Sequence, residues 1–217
     1  MLSVKFKKDS SAIFMSHIDM QRAINRTIKR AGFIQEYSTG YIPHTLLKLS
    51  SPIPLGLRSA AEYFTTSLKV DEPEEFLSRC TKCAPNGLEF IQMWNTKENP
   101  NFAFKIVASE YYVKSDNIST SLQNDLKQVL QEDLLVVARD GSYKNAKDSI
   151  FAIDAGSDGF FVKLASGNVT LRVDKFLEAV NVKLKVNFKL KDTIKVSAFF
   201  KTDKFVCVDE ILSADAI

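Results

Sequence analysis

Leu46-Leu47-Lys48-Leu49-Ser50-Ser51-Pro52-Ile53-Pro54-Leu55-Gly56, followed shortly by Glu62-Tyr63-Phe64-Thr65-Thr66-Ser67-Leu68-Lys69-Val70, decides the fold. The first stretch is a short apolar run, Leu46 to Ser50, closed by a proline-rich turn. The second alternates, with Tyr63, Thr65, Ser67 and Lys69 on one face and Phe64, Thr66, Leu68 and Val70 on the other. That period of two predicts a strand. Working outward, Ser3 to Lys7 alternates as well, and Ser16 to Ala31 has the period of a helix that Gly32 ends. Downstream, Pro73 opens a second helix, since proline suits a first turn, and Leu88 to Trp94 is a strand. The order β-α-β-β-α-β is that of the ferredoxin-like split βαβ unit.

The polar run Asn95 to Asn101, with Pro100, reads as a linker,. Beyond it the sequence reads as a decorated second copy. Phe102 to Lys114 is a strand, Ser119 to Gln131 a helix, and Asp133 to Arg139 a strand before the Asp140-Gly141 turn. Ile150 to Ile153 and Phe160 to Ala165 are strands, Arg172 to Val180 is a helix, and Val182 to Phe188 and Thr193 to Phe200 alternate like strands. The expected class is α+β, two tandem ferredoxin-like halves with the second decorated. The expected domains are 1–97, carrying the His/Arg motif, and 102–217.

At 217 residues, 45% hydrophobic and 25% charged, the chain has the composition of a soluble globular protein,. No apolar run approaches the roughly 20 residues of a membrane-spanning helix. The alternating N-terminus lacks the features of a secretory signal, so a cytoplasmic location without membrane contact is expected. The net charge is +3, but residues 1–50 hold eight Lys/Arg against three acids, leaving the remainder at −2. A basic end on a near-neutral body points to an anionic ligand or to a solvated basic face.

Cys80-Thr81-Lys82-Cys83 is formally CxxC, but Phe76, Leu77, Cys80, Cys83 and Ala84 recur at helical spacing, which places both sulfurs on an apolar stripe,. A structural zinc site wants four ligands, usually from two such pairs, so no metal is expected on this chain. The signatures of phosphate loops, dinucleotide folds, serine hydrolases and zinc proteases are absent. So is the CxxxCxxC motif of a radical S-adenosylmethionine enzyme.

Both histidines fall in the first 44 residues. Ser16-His17-Ile18-Asp19 fits a capping box, with Ser16 capping the helix and Asp19 reaching back. His17 then takes the first helical position, where the positive helix end favours a neutral imidazole. Two readings of it stand: an acid–base group, or a half-buried cap on the apolar face with Ile24 and Ile28. Arg22, Arg26 and Arg30 are spaced four apart and form one line, which Lys29 and Asp19 join. Asp19 pairs locally with Arg22 at most, leaving guanidinium groups for phosphates or carboxylates. Gly40-Tyr41-Ile42-Pro43-His44 follows; Gly40 permits an unusual φ and Pro43 stiffens the approach to His44. The loop is expected to fold back and bring His44 and Tyr41 to the arginine line, where an aromatic beside basic groups suits base stacking. Tyr41 as a core residue is the alternative.

The run Phe14-Met15-Ser16-His17-Ile18-Asp19-Met20-Gln21-Arg22, then Arg26, Lys29-Arg30-Ala31-Gly32, Tyr37 to His44, and Ser51-Pro52-Ile53-Pro54-Leu55-Gly56 with Ser59 and Glu62-Tyr63 resembles the radical SAM-linked protein family. Lys147-Asp148-Ser149-Ile150 and Gly167 to Leu177 match that family's later motifs less well; Val173 stands where the family has proline. The resemblance implies a radical S-adenosylmethionine partner enzyme. The iron–sulfur cluster and S-adenosylmethionine would reside on that partner, and this chain would bind no cofactor. It implies no reaction.

Three functions compete. The first is an accessory module that binds RNA, such as tRNA or rRNA, for the partner. The second is an enzyme: tandem ferredoxin-like domains with an N-terminal histidine also resemble CRISPR repeat-processing endonucleases. There His17 would act on the ribose 2′-hydroxyl without metal, with Arg22 or Lys29 steadying the charge. The third is a scaffold whose arginines dock on acidic protein, since carboxylates and phosphates want the same donors.

Overall fold

The structure, a computed structural model, describes residues 1–68, 70–116, 118–138 and 140–215. The first half runs β1 (Leu2–Lys8), α1 (His17–Arg30), β2 (Leu47–Leu49), β3 (Arg58–Thr66), α2 (Pro73–Cys83) and β4 (Leu88–Asn95). The second runs α3 (Phe102–Lys105), β5 (Ile106–Lys114), α4 (Thr120–Gln128), β6 (Leu135–Val137), β7 (Tyr143–Asn145), β8 (Ile150–Ala155), β9 (Gly159–Ala165), α5 (Val173–Leu184), β10 (Thr193–Lys201), β11 (Phe205–Cys207) and α6 (Val208–Asp215). The result is an α+β fold on one large mixed sheet, ordered β4-β1-β3-β10-β5-β9-β8, with β2 beside β3 and β11 beside β10. Within each half the pairings are antiparallel. The strands of each half fall in the spatial order fourth, first, third, second: β4-β1-β3-β2 and β10-β5-β9-β8. The halves meet along one short parallel seam, Ile194 opposite Arg58 and Lys195 opposite Ser59.

Alternation along the strands sorts side chains between the two faces. On one face Leu2, Val4 and Phe6 of β1 meet Phe64 and Phe90, closed by Met20, Ile24 and Ile28 of α1 and Phe76 and Cys80 of α2. The same face in the second half carries Val113, Phe160, Val162 and Leu164 beneath Leu126 of α4 and Phe176, Leu177 and Val180 of α5. The opposite face buries Ala61, Tyr63, Trp94, Phe102 and Phe200 under Val208 and Leu212 of α6. Three polar contacts fix α6 there: Lys5 Nζ to Asp209 at 2.5 Å, Tyr63 Oη to Asp209 at 2.8 Å, and Trp94 Nε1 to Ser213 Oγ at 3.1 Å.

Several expected elements are corrected. The strand from Phe102 begins only at Ile106, because Asn101 turns left-handed (φ 52°) and Phe102 swings into the apolar cluster against Tyr63, ring centroids 5.2 Å apart. No strand spans 182–188. Val173, Phe176, Leu177, Val180 and Leu184 share a helical stripe, so α5 continues to Leu184 and ends at Lys185 with φ 55°. Asn181 then fastens both backbone groups of Phe188, at 2.7 and 2.9 Å. The strand expected over 133–139 is the short β6, paired with β7 in a separate two-stranded ribbon. The strand expected from Glu62 begins at Arg58. Lys69 and Arg139, at the edges of two expected strands, lie outside the described residues. β11 and α6 have no counterpart in the sequence reading.

Candidate anion-binding face

α1 begins as its sequence dictates. Ser16 Oγ accepts the Asp19 N–H at 3.2 Å and donates to the Asp19 carboxylate at 2.7 Å. Asp19 therefore reaches the Ser16 hydroxyl, not its backbone N–H as a full capping box would have it. Met20, Ile24, Thr27 and Ile28 turn inward, and this fixes what faces out. Arg22, Arg26 and Arg30 emerge together and line a groove of about 290 Å³ with Asp19, Ala23, Met15 and Pro85. Asp19 Oδ1 lies 3.5 Å from Arg22 Nη1, a pair exposed on both sides, and such pairs contribute little. Among the described residues Arg26 and Arg30 have no carboxylate partner. Lys29 is exposed but does not line the groove, so it does not join the line.

His17 holds the first helical position and is largely exposed. Its pKa is lowered, chiefly by burial of its inner side, with Glu62 opposing and Lys8 adding to the shift. That inner side borders a small cavity of about 30 Å³, shared with Lys8, Ser50, Pro52 and Glu62. Lys8 and Glu62 are each 5% exposed, and with Lys195 at 3% they form a buried ionic group. Lys195 Nζ donates to Glu62 Oε1 at 2.9 Å, Ser59 Oγ donates to the same oxygen at 2.8 Å, and Ser50 Oγ donates to Oε2 at 3.4 Å. Lys8 Nζ donates to the Met15 carbonyl at 3.2 Å. Burial lowers the Lys8 pKa, against the pull of Glu62. Nothing in the sequence reading marked this group, although a signal exists. Lys8 continues the apolar stripe Leu2-Val4-Phe6, and Glu62 shares its face with Phe64.

The 37–45 loop does not fold back. Tyr37 bridges Thr45, Ser38 N–H donates to the His44 carbonyl at 2.8 Å, and His44 Nδ1 lies 2.9 Å from Ser38 Oγ. Closed on itself, the loop leaves Tyr41 fully exposed and Ile42 80% exposed, so Tyr41 is no core residue. Neither Tyr41 nor His44 lines the arginine groove or the His17 cavity. Gly40 (φ 133°) and Gly56 (φ 83°) occupy backbone conformations that favour glycine,; Pro43 is exposed between them. Gly56 N–H donates to the Ile13 carbonyl at 2.9 Å, tying the proline-rich turn to the entry of α1. Phe14 is 70% exposed there, a second free aromatic that the sequence reading did not single out.

The three cysteines are free, and burial, reinforced by Cys83, pushes the Cys80 thiol up to about 12. Among the described residues no group of three or more His, Cys, Asp or Glu is placed to hold a metal. No helix among them is long and apolar enough to cross a membrane.

A family model described as "Uncharacterized protein conserved in bacteria (DUF2344)" matches residues 1–194. No curated protein matches the chain. Among solved structures, the chain is similar to one from "Crystal Structure of a Cbf5-Nop10-Gar1 Complex", at 7% identity and a TM-score of 0.48, over 98% of this chain and 54% of that one. The chain spans about half the length of that solved structure.

Proposed function

We propose that this chain, which belongs to the bacterial family DUF2344, is an accessory module that holds RNA on the arginine groove of α1. The single observation that carries this reading is the groove itself. Three arginines share one exposed helix face, and two of them have no carboxylate partner among the described residues. Steps of about 6 Å between successive turns suit a run of phosphates. Exposed Phe14, just before the entry of α1, adds a face on which an unpaired base stacks,. The strand order of each half supports the finer fold reading, two ferredoxin-like modules over 1–97 and 102–217,. The proposed partner is a radical S-adenosylmethionine enzyme, with tRNA or rRNA as the shared substrate; this rests on the residue resemblance around Phe14–Arg30 and Tyr37–Gly56.

The test is to purify the tagged protein from its own host at low salt and sequence any RNA it retains. Replacing Arg22 and Arg26 with alanine is expected to release that RNA. It should also reduce the slope of log affinity against log salt by about 1.4, at about 0.7 for each single-strand phosphate that an arginine no longer neutralises. A nucleic-acid-free protein, or unchanged affinity in the double variant, overturns the reading.

A further inference from the structure

A second cavity opens where the two halves meet. It is small, about 30 Å³. Its wall draws on the proline-rich turn after β2 (Ser50 to Pro54), on β5 (Ile106, Ser109, Tyr111), on the loop after β9 (Ser166, Gly167, Thr170), and on Arg172 and Lys195. The lining is two cations, several hydroxyls and no carboxylate. Glu62 and Asp174 pair with the two cations but do not line the space.

We propose that this seam cavity binds the phosphate group of a ligand whose remainder stays outside. Charge balance gives the first reason. Lys195 and the neighbouring Lys8 are both almost fully buried, and Glu62, which pairs with Lys195, is the one buried carboxylate beside them. An uncompensated buried cation is costly. Lys195 directs one of its three protons to Glu62, and two remain for the cavity it lines,. Geometry gives the second reason. A carboxylate ligand is matched best by a free guanidinium fork, but Asp174 already holds Arg172 through two bonds, at 3.0 and 2.7 Å. What remains is an ammonium and hydroxyls converging from separate elements, a donor set that suits a tetrahedral oxyanion. Ser166 Oγ donates to Ser109 Oγ at 2.9 Å, and Tyr111, 5% exposed, stands on the same wall. Size gives the third. The space, about 30 Å³, is too small to enclose a ribose or a base. This inference does not depend on RNA reaching the arginine groove.

The test titrates inorganic phosphate into the whole chain in an oxyanion-free buffer, followed by ³¹P NMR line width and by melting temperature, with sodium acetate at matched ionic strength as control. Saturable phosphate binding is expected in the wild type, with no comparable response to acetate. Binding should weaken at least tenfold in Glu62→Gln/Lys195→Gln, which removes both charges of the pair together, and should persist in Arg22→Ala/Arg26→Ala. Tyr111→Phe, which leaves every ion pair intact, should weaken binding measurably and keeps the test decisive if the double variant fails to fold. Absence of saturable binding in the wild type overturns the proposal. So does an equal response to acetate, or binding that the arginine variant abolishes and Tyr111→Phe leaves unchanged. Competition assigns the source of the phosphate. A nucleoside 5′-monophosphate that displaces phosphate, where a dinucleoside monophosphate does not, marks a small phosphomonoester; displacement by both marks a nucleic-acid backbone.

Discussion

Glu62 is the residue on which most of the polar interior depends. Its carboxylate accepts from Lys195, Ser59 and Ser50, so removing it strands a buried ammonium. Breaking a buried pair from one side costs about 3–5 kcal/mol. Glu62→Ala should therefore lower the melting temperature by about 10 °C, at roughly 2–4 °C per kcal/mol for a chain of this size. Replacing Glu62 and Lys195 together by methionine should restore most of that loss, because an apolar pair of similar volume is close to neutral; a double variant as unstable as the single one contradicts this account. Lys8 and Glu62 were legible as charges on apolar stripes. Lys195 was not, since its partner lies on the neighbouring strand β3, 133 residues away in sequence. His17 yields a pH prediction. Its folded pKa is lowered, mainly by burial. Below the free value of about 6.5 the unfolded chain then binds more protons than the folded one. Its contribution to stability is complete above 6.5 and is lost as pH falls through the folded pKa. In an NMR titration the His17 ring should change charge below 6.5, and a midpoint above that value contradicts the desolvation described.

At the scale of the element, α1 is where sequence and structure agree most closely, because its signals are local. A cap, an inward stripe and an outward stripe all fall within one helix. Ser16→Ala should cost about 1 kcal/mol, as removal of an N-cap usually does, measured by urea unfolding. It should also free the Asp19 carboxylate that Ser16 now engages. α5 shows where local reading fails. Val182, Leu184, Val186 and Phe188 alternate, but the helical stripe upstream already had α4 and the sheet to pack against, so the helix carried on through Leu184. The 37–45 loop failed for the opposite reason. Its hydrogen bonds are satisfied internally by Ser38 and His44, so nothing pulls it onto α1.

At the scale of the molecule, the α+β class was readable because helical and strand periodicities alternate through both halves of the sequence. Their joining was not, since the slot between β3 and β5 is filled by β10, from the far end of the chain. Nor was α6, whose short apolar run gives a weak periodic signal yet covers Ala61, Tyr63 and Trp94. Deleting the residues after Cys207 uncovers that cluster and removes the partners of Lys5, Tyr63 and Trp94. Burying one large aliphatic side chain contributes about 1.5–3 kcal/mol. The loss of Val208 and Leu212, both buried, should therefore destabilise the protein by about 3–6 kcal/mol and raise dye binding to exposed apolar surface. A truncated chain with unchanged melting would refute that role for α6.

The place of β10 also sets a clock. A ribosome adding about 5–20 residues per second delivers the first half, through β4, roughly 5–20 s before β10 follows. Until then part of the β3 edge has no neighbour, with N–H and C=O groups open to any passing strand. Glu62, held meanwhile by Ser59 and Ser50 of its own half, keeps a charge beside that open edge, and charge on an edge strand discourages pairing with a wrong chain until β10 brings Lys195,.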